Sequence, residues 1–150
     1  MNKSILIDQQ WSDGNGAQWQ SRDPVDNHPL WEGRAADSTQ VDAAVASARA
    51  AFFSWSGLTL QQRLQYVNRF VAALQENAES LANLISRESG KALWDARTEV
   101  AAMSGKAAIS LQAYEERSGS RSKVTAQGEL LLRHKPHGVL AVFGPFNFPG

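Results

Sequence analysis

Through the middle of the chain, apolar residues recur at intervals of three and four; toward both ends they sit in short runs between turn-forming residues. The first spacing marks amphipathic helices and the second short strands. Val41, Ala44, Val45, Ala48, Phe52 and Trp55 share one helical face, and Asp37 with Gln40 has the spacing of a capping box in front of it. Thr59 with Gln62 repeats that signal ahead of Leu64, Val67, Phe70, Val71 and Leu74. A third stripe carries Leu81, Leu84 and Ile85 and stops at Gly90, a residue suited to the left-handed turn after a helix. The fourth and longest, with Trp94, Val100, Met103, Ala107, Leu111 and Tyr114, runs to a stop near Gly119. Four such helices must bury their stripes on one another or on a sheet, so these residues are expected in the core.

Before the helices, Ile5-Leu6-Ile7, Gln18-Trp19-Gln20 and Leu30-Trp31-Glu32-Gly33 read as short strands. Turn-rich segments at 12–16 and 23–29 separate them. After the helices, residues 118–128 turn to Ser, Gly, Lys, Arg and Thr and read as a solvated crossing. Leu130 to His134 reads as a strand. Val139-Leu140-Ala141-Val142-Phe143 reads as a buried one, leading directly into Gly144-Pro145-Phe146-Asn147-Phe148-Pro149-Gly150. The chain stops within that loop, and the expectation is the amino-terminal piece of a larger protein.

Composition narrows the classes. Lys plus Arg equals Asp plus Glu at 15 each, so no net field draws the chain to nucleic acid or an anionic membrane. There is no Cys, hence no disulfide framework and no thiolate metal site. No run is apolar for long enough to span a bilayer, and the start becomes polar too soon for a signal peptide. A soluble, cytoplasmic chain is expected. At 150 residues it can bury roughly 70% of its extended surface.

Candidate chemistry concentrates at the end. Pro145 and Pro149 stiffen the loop around Asn147, and open α/β sheets bind ligands beyond the carboxyl ends of their strands. A rigidly held carboxamide there can donate to a developing oxyanion; equally, Asn is common in loops because it bonds its own backbone. Lys106, beside Met103 and Ser110, is either a snorkelling side chain or an attractor for an anionic substrate. Glu88-Ser89-Gly90-Lys91 lacks the earlier Gly and following Ser or Thr of a phosphate loop and reads as a helix stop. His134 and His137 lie three apart without further ligands, so no metal site is expected.

Pro136-His137-Gly138-Val139, followed by Gly144-Pro145-Phe146-Asn147-Phe148-Pro149, resembles the strand-and-loop signature of NAD(P)-dependent aldehyde dehydrogenases. Glu88-Ser89-Gly90-Lys91 with Glu99-Val100 is similar to an earlier helix pair of that family. The resemblance covers essentially the whole chain against roughly the first third of a member. It implies an α/β fold: the amino-terminal portion of the cofactor domain, with short strands, a four-helix cluster, the start of a Rossmann-like sheet and an oligomerisation strand. The implied divisions are 1–117 for the domain's amino-terminal part, 118–136 for an oligomerisation arm and 137–150 for the first buried sheet strand with the oxyanion loop.

Several roles follow from the resemblance alone. Asn147 is the oxyanion donor, and Phe143, Gly144 and Phe146 lie against NAD. Phe148, Lys106 and Met103 border the aldehyde passage. The implied partners are a small aldehyde and other copies of the chain. In finer detail the resemblance is to a bacterial enzyme of arginine catabolism acting on an N-acylated dicarboxylic semialdehyde. Other semialdehyde oxidations remain open, and so does a non-catalytic helical assembly module. The family's nucleophilic Cys, catalytic Glu, remaining sheet and glycine turn have no counterpart in this sequence.

Overall fold

The computed structural model describes residues 3–150. Six strands and four helices follow one another as β1 (Ile5–Ile7), β2 (Gln10–Ser12), β3 (Gln18–Arg22), β4 (Pro29–Arg34), α1 (Ser38–Ser56), α2 (Leu60–Glu76), α3 (Ala78–Ser89), α4 (Leu93–Arg117), β5 (Arg121–Thr125) and β6 (Gly128–Leu132). The strands form three separate antiparallel hairpins, β1–β2, β3–β4 and β5–β6.

Local chemistry sets several boundaries. Asp37 accepts from the Gln40 N–H while the Gln40 side chain returns to the Asp37 N–H, closing the expected capping box of α1. Thr59 and Gln62 do the same for α2. Gly90 ends α3 at φ 73°, a left-handed conformation that costs glycine nothing. A side chain there would also meet Pro24 Cγ at 2.8 Å. The β1–β2 hairpin turns through Asp8 and Gln9, both at positive φ (48° and 64°), where the commonest two-residue turn favours Asn-Gly. Trp19 and Trp31 pack against each other across β3–β4, their rings tilted by 49° with centres 4.8 Å apart.

The core is small and lies between α3 and α4. Ala82 and Ile85 of α3 meet Ala96 and Val100 of α4, with Ala78, Leu81, Leu93 and Met103 packed around them. These positions recur at three and four residues on both helices, so two facing stripes interdigitate. A paired Glu79–Arg97 contact crosses the same helices on the solvent side, where its contribution is modest.

The expectation of a well-buried chain is not met. Its accessible surface is 11753 Å², whereas a compact monomer of this size exposes about 7,500 Å². Neither α1 nor α2 has a buried residue. Val41, Trp55, Phe70, Leu84 and Trp94, expected in the core, are all exposed. The helical periodicity is real, but the α1 stripe is left largely uncovered, and the α2 stripe of Leu64, Val67, Val71 and Leu74 is only half-buried where it faces α4.

Two further segments differ from expectation. The presumed crossing at 118–128 contains strand β5, which exists because β6 pairs with it from Arg121↔Leu132 to Thr125↔Gly128. Residues 139–143, read as a buried strand, pair with nothing among the described residues, and Phe143 is 94% exposed. An apolar strand is stable only when neighbouring strands take its backbone N–H and C=O groups, and no such neighbour lies beside it here.

Candidate functional site

Three pieces of chain meet at the open end of the α3–α4 pair: the turn after α3, the second turn of α4, and residues 147–150. Gly90 reverses the chain and delivers Lys91 to that end. Glu99 projects from the apolar stripe of α4, between Ala96 and Met103, and is 6% exposed. The Lys91 ammonium and the Glu99 carboxylate form an ion pair through Nζ and Oε2.

Both members of this pair hold the tail. Lys91 Nζ donates to the Asn147 carbonyl at 3.0 Å and lies 4.8 Å from the centre of the Phe148 ring, a cation–π contact. Glu99 Oε1 accepts from the Gly150 N–H at 3.0 Å. A Cβ at Gly150 would meet Met103 Sδ and sit 3.2 Å from Glu99 Oε1 and 3.3 Å from Ile85 Cδ1, so a larger residue there would have to push these side-chain ends aside. Between the prolines, the Phe148 N–H reaches back to the Pro145 carbonyl at 3.4 Å, closing a turn with Asn147 inside it.

Electrostatics reinforce the arrangement. Burial alone would raise the Glu99 carboxyl, but hydrogen bonds from Lys91 and the Gly150 N–H, with the ammonium's charge, outweigh it. The group is held below its ordinary value of 4.5. Glu99 therefore stays ionised at neutral pH within an apolar stripe.

The expected site residues distribute unevenly around this end. Asn147 is exposed, and its backbone carbonyl is anchored by Lys91. Phe148 is fixed beneath the Lys91 ammonium. Met103 and Lys106 line a groove of about 550 Å³ between α2 and α4, together with Leu64, Val67, Leu111 and Gly150. Lys106 is exposed on that wall, as a snorkelling side chain would be. Phe143, Gly144 and Phe146 stand in solvent, away from this cluster. His134 Nδ1 lies 3.1 Å from the Gly119 carbonyl oxygen, tying the end of the β5–β6 hairpin to the exit of α4.

From sequence, Lys91 and Glu99 enter only through the helix-pair resemblance, with no role in the site. Lys91 was absorbed into a helix stop, which Gly90 does form, but the lysine itself turns inward. One signal was available: Glu99 interrupts the apolar stripe Ala96, Val100, Met103, and a carboxylate at such a position needs a partner.

The sequence profile of the aldehyde dehydrogenase family matches residues 11–150. The chain is 53% identical over 146 residues to an N-succinylglutamate 5-semialdehyde dehydrogenase of Burkholderia mallei, which spans 97% of this chain and 30% of that protein. It is 52% identical over 147 residues to the enzyme of the same name from Serratia proteamaculans, across 98% of this chain and 30% of the relative. The chain thus covers less than a third of the length of these relatives. In structure it superposes on the NADP-dependent glyceraldehyde-3-phosphate dehydrogenase of Bacillus halodurans with a TM-score of 0.90. That match covers 99% of this chain and 33% of the other at 22% identity, a likeness of fold. The hairpins and the four helices share the fold of an amino-terminal region of such enzymes, and the chain belongs to the aldehyde dehydrogenase family.

Proposed function

We propose that this chain is the amino-terminal part of an NAD-dependent enzyme that oxidises N-succinylglutamate 5-semialdehyde to N-succinylglutamate, a step of arginine catabolism. The observation that carries this reading is the 53% identity, sustained over 97% of the chain, to dehydrogenases named for that substrate. The unburied stripes of α1 and α2 and the irregular 139–143 segment support it. They are the surfaces that the remaining sheet and domain would cover.

Phe143, Gly144 and Phe146, all exposed, are the residues that would lie against the nicotinamide end of a dinucleotide. Gly144 lies in open space, with no atom within 4 Å of where a side chain would begin. Phe143 and Phe146 flank it with exposed rings. When bound, NAD supplies the acceptor for the hydride that the aldehyde carbon loses.

Within this chain, the Asn147 carboxamide donates a hydrogen bond to the carbonyl oxygen as it gains negative charge. Such a donor is worth about 3 kcal/mol of transition-state stabilisation. Phe148 and Met103 give the aldehyde an apolar passage, and Lys106 attracts carboxylates at its mouth. The chain contains no Cys, so the attacking thiolate comes from outside this segment. Copies associate through residues 118–136. An isolated two-stranded hairpin is marginal in water, and this one exposes Leu130, Leu131 and Leu132.

The test is a substrate panel for the product of the complete gene: N-succinylglutamate 5-semialdehyde, succinate semialdehyde and a neutral aldehyde, each with NAD and NADP. The expected result is the highest kcat/KM for the N-succinylated compound with NAD, by at least about tenfold. No nucleotide reduction with any aldehyde, or a preference for succinate semialdehyde, would overturn the assignment.

A further inference from the structure

We infer that Lys91, braced by Glu99, is a positioning residue that sets the orientation of the Asn147 peptide and thereby aims the Asn147 carboxamide. This inference rests on the oxyanion role proposed for Asn147.

The tail is held at two points three residues apart. Lys91 Nζ grips the carbonyl of Asn147 at 3.0 Å, and Glu99 Oε1 grips the N–H of Gly150 at 3.0 Å. The ion pair joins the two grips, so the circuit runs from one side chain to the other and back through the backbone. Pro149 lies inside the circuit with its φ fixed by the ring. Clamping the carbonyl of residue 147 constrains ψ at that residue, which sets where its side chain points relative to the α3–α4 platform.

Lys91 has no capacity left for another task. An ammonium has three N–H donors, and its neighbours are the Glu99 carboxylate, the Asn147 carbonyl and the face of the Phe148 ring. The Glu99 oxygens are likewise divided between Lys91 and Gly150. The Lys91 ammonium is therefore committed to protein groups, which argues against a phosphate site at Glu88-Ser89-Gly90-Lys91 and for a structural brace. Phe148 is held by the same ammonium, so the passage wall and the oxyanion donor share one support.

The experiment compares Lys91→Met, Lys91→Arg and Asn147→Ala in the enzyme from the complete gene. It reads amide hydrogen exchange across 146–150, kcat, and the KM values for aldehyde and NAD. Lys91→Met is expected to speed exchange of the tail amides at least about tenfold while leaving those of Ala82, Ile85, Ala96 and Val100 protected. It should lower kcat about tenfold to a hundredfold with the KM for NAD changed less than about twofold, and Lys91→Arg should recover most of both losses. Lys91→Gln serves the same comparison if Lys91→Met does not fold. Unaltered tail exchange, or faster exchange with undiminished kcat, overturns the positioning role. Full activity in Asn147→Ala instead overturns the oxyanion assignment, so the two failures are told apart.

Discussion

Deleting the Lys91 ammonium should cost this chain about 3 kcal/mol, and the value can be bounded from its surroundings. The side chains of Lys91 and Glu99 are 15% and 5% exposed, so water replaces little of a lost partner at Glu99 and somewhat more at Lys91. In Lys91→Met the aliphatic stem still packs, but the Glu99 carboxylate is left buried and unpaired, a situation that costs about 3–5 kcal/mol in other proteins. Glu99 has an escape, because it can take up a proton. From its ordinary value of 4.5, protonation at neutral pH costs about 1.4 kcal/mol for each of 2.5 units, or about 3.4 kcal/mol. That sets a ceiling near the lower end of the range. Glu99→Gln alone should cost about 1–2 kcal/mol, since its amide oxygen still accepts from Gly150 and the freed ammonium has more access to water. The double variant should cost little more than Glu99→Gln. A double-mutant cycle by urea unfolding, followed by circular dichroism, should therefore return a coupling of about 2 kcal/mol or more. A coupling below about 0.5 kcal/mol would show that the pair does not hold the tail and would refute the reasoning.

Three further outcomes follow from the same geometry. The Glu99 carboxyl titrates below its ordinary value in the folded chain, so its stabilisation is fully present above about pH 4.5 and is lost as the pH falls through the lowered value. Lys91 is the charged group paired with it; α3 presents Ile85, α4 Met103 and the tail the Gly150 N–H. Urea midpoints measured from about pH 7 to about pH 3 should thus fall more steeply for the native chain than for Glu99→Gln, and parallel curves would contradict the assignment. Gly90→Ala should destabilise by about 1–2 kcal/mol in the same assay, because the left-handed turn at φ 73° resists a side chain and Pro24 Cγ sits 2.8 Å from the new methyl; a neutral result would mean that the turn can relax. Lys106→Met in the complete enzyme should raise the KM for a dianionic semialdehyde about tenfold and leave that for a neutral aldehyde unchanged, whereas equal effects would remove Lys106 from the passage.

What could be read from sequence was whatever residues a few positions apart decide. Asp37 with Gln40 and Thr59 with Gln62 mark the starts of α1 and α2 because a capping box is complete within one turn. Gly90 marks the end of α3 for the same kind of reason. Strand β5 was missed because Arg121 to Thr125 carries no apolar alternation of its own and is a strand only through its pairing with β6. Residues 139–143 show the opposite error. Their apolar run satisfies the pattern of a buried strand, but pattern supplies no partner for the backbone. The Lys91–Glu99 brace was invisible for a third reason. Its contacts to the tail span 56 and 51 residues, and nothing local in Lys91 says which way it turns. The Asn147 loop stood out early because prolines on both sides restrict it, yet sequence could not say that its carbonyl is what the protein grips.

The most direct measurement is the steady-state kinetics of Asn147→Ala in the enzyme from the complete gene, with N-succinylglutamate 5-semialdehyde and NAD. If the carboxamide meets charge that appears only in the transition state, kcat falls about a hundredfold to a thousandfold while NAD affinity stays within about twofold. Turnover equal to that of the native enzyme would contradict the assigned chemistry of this loop.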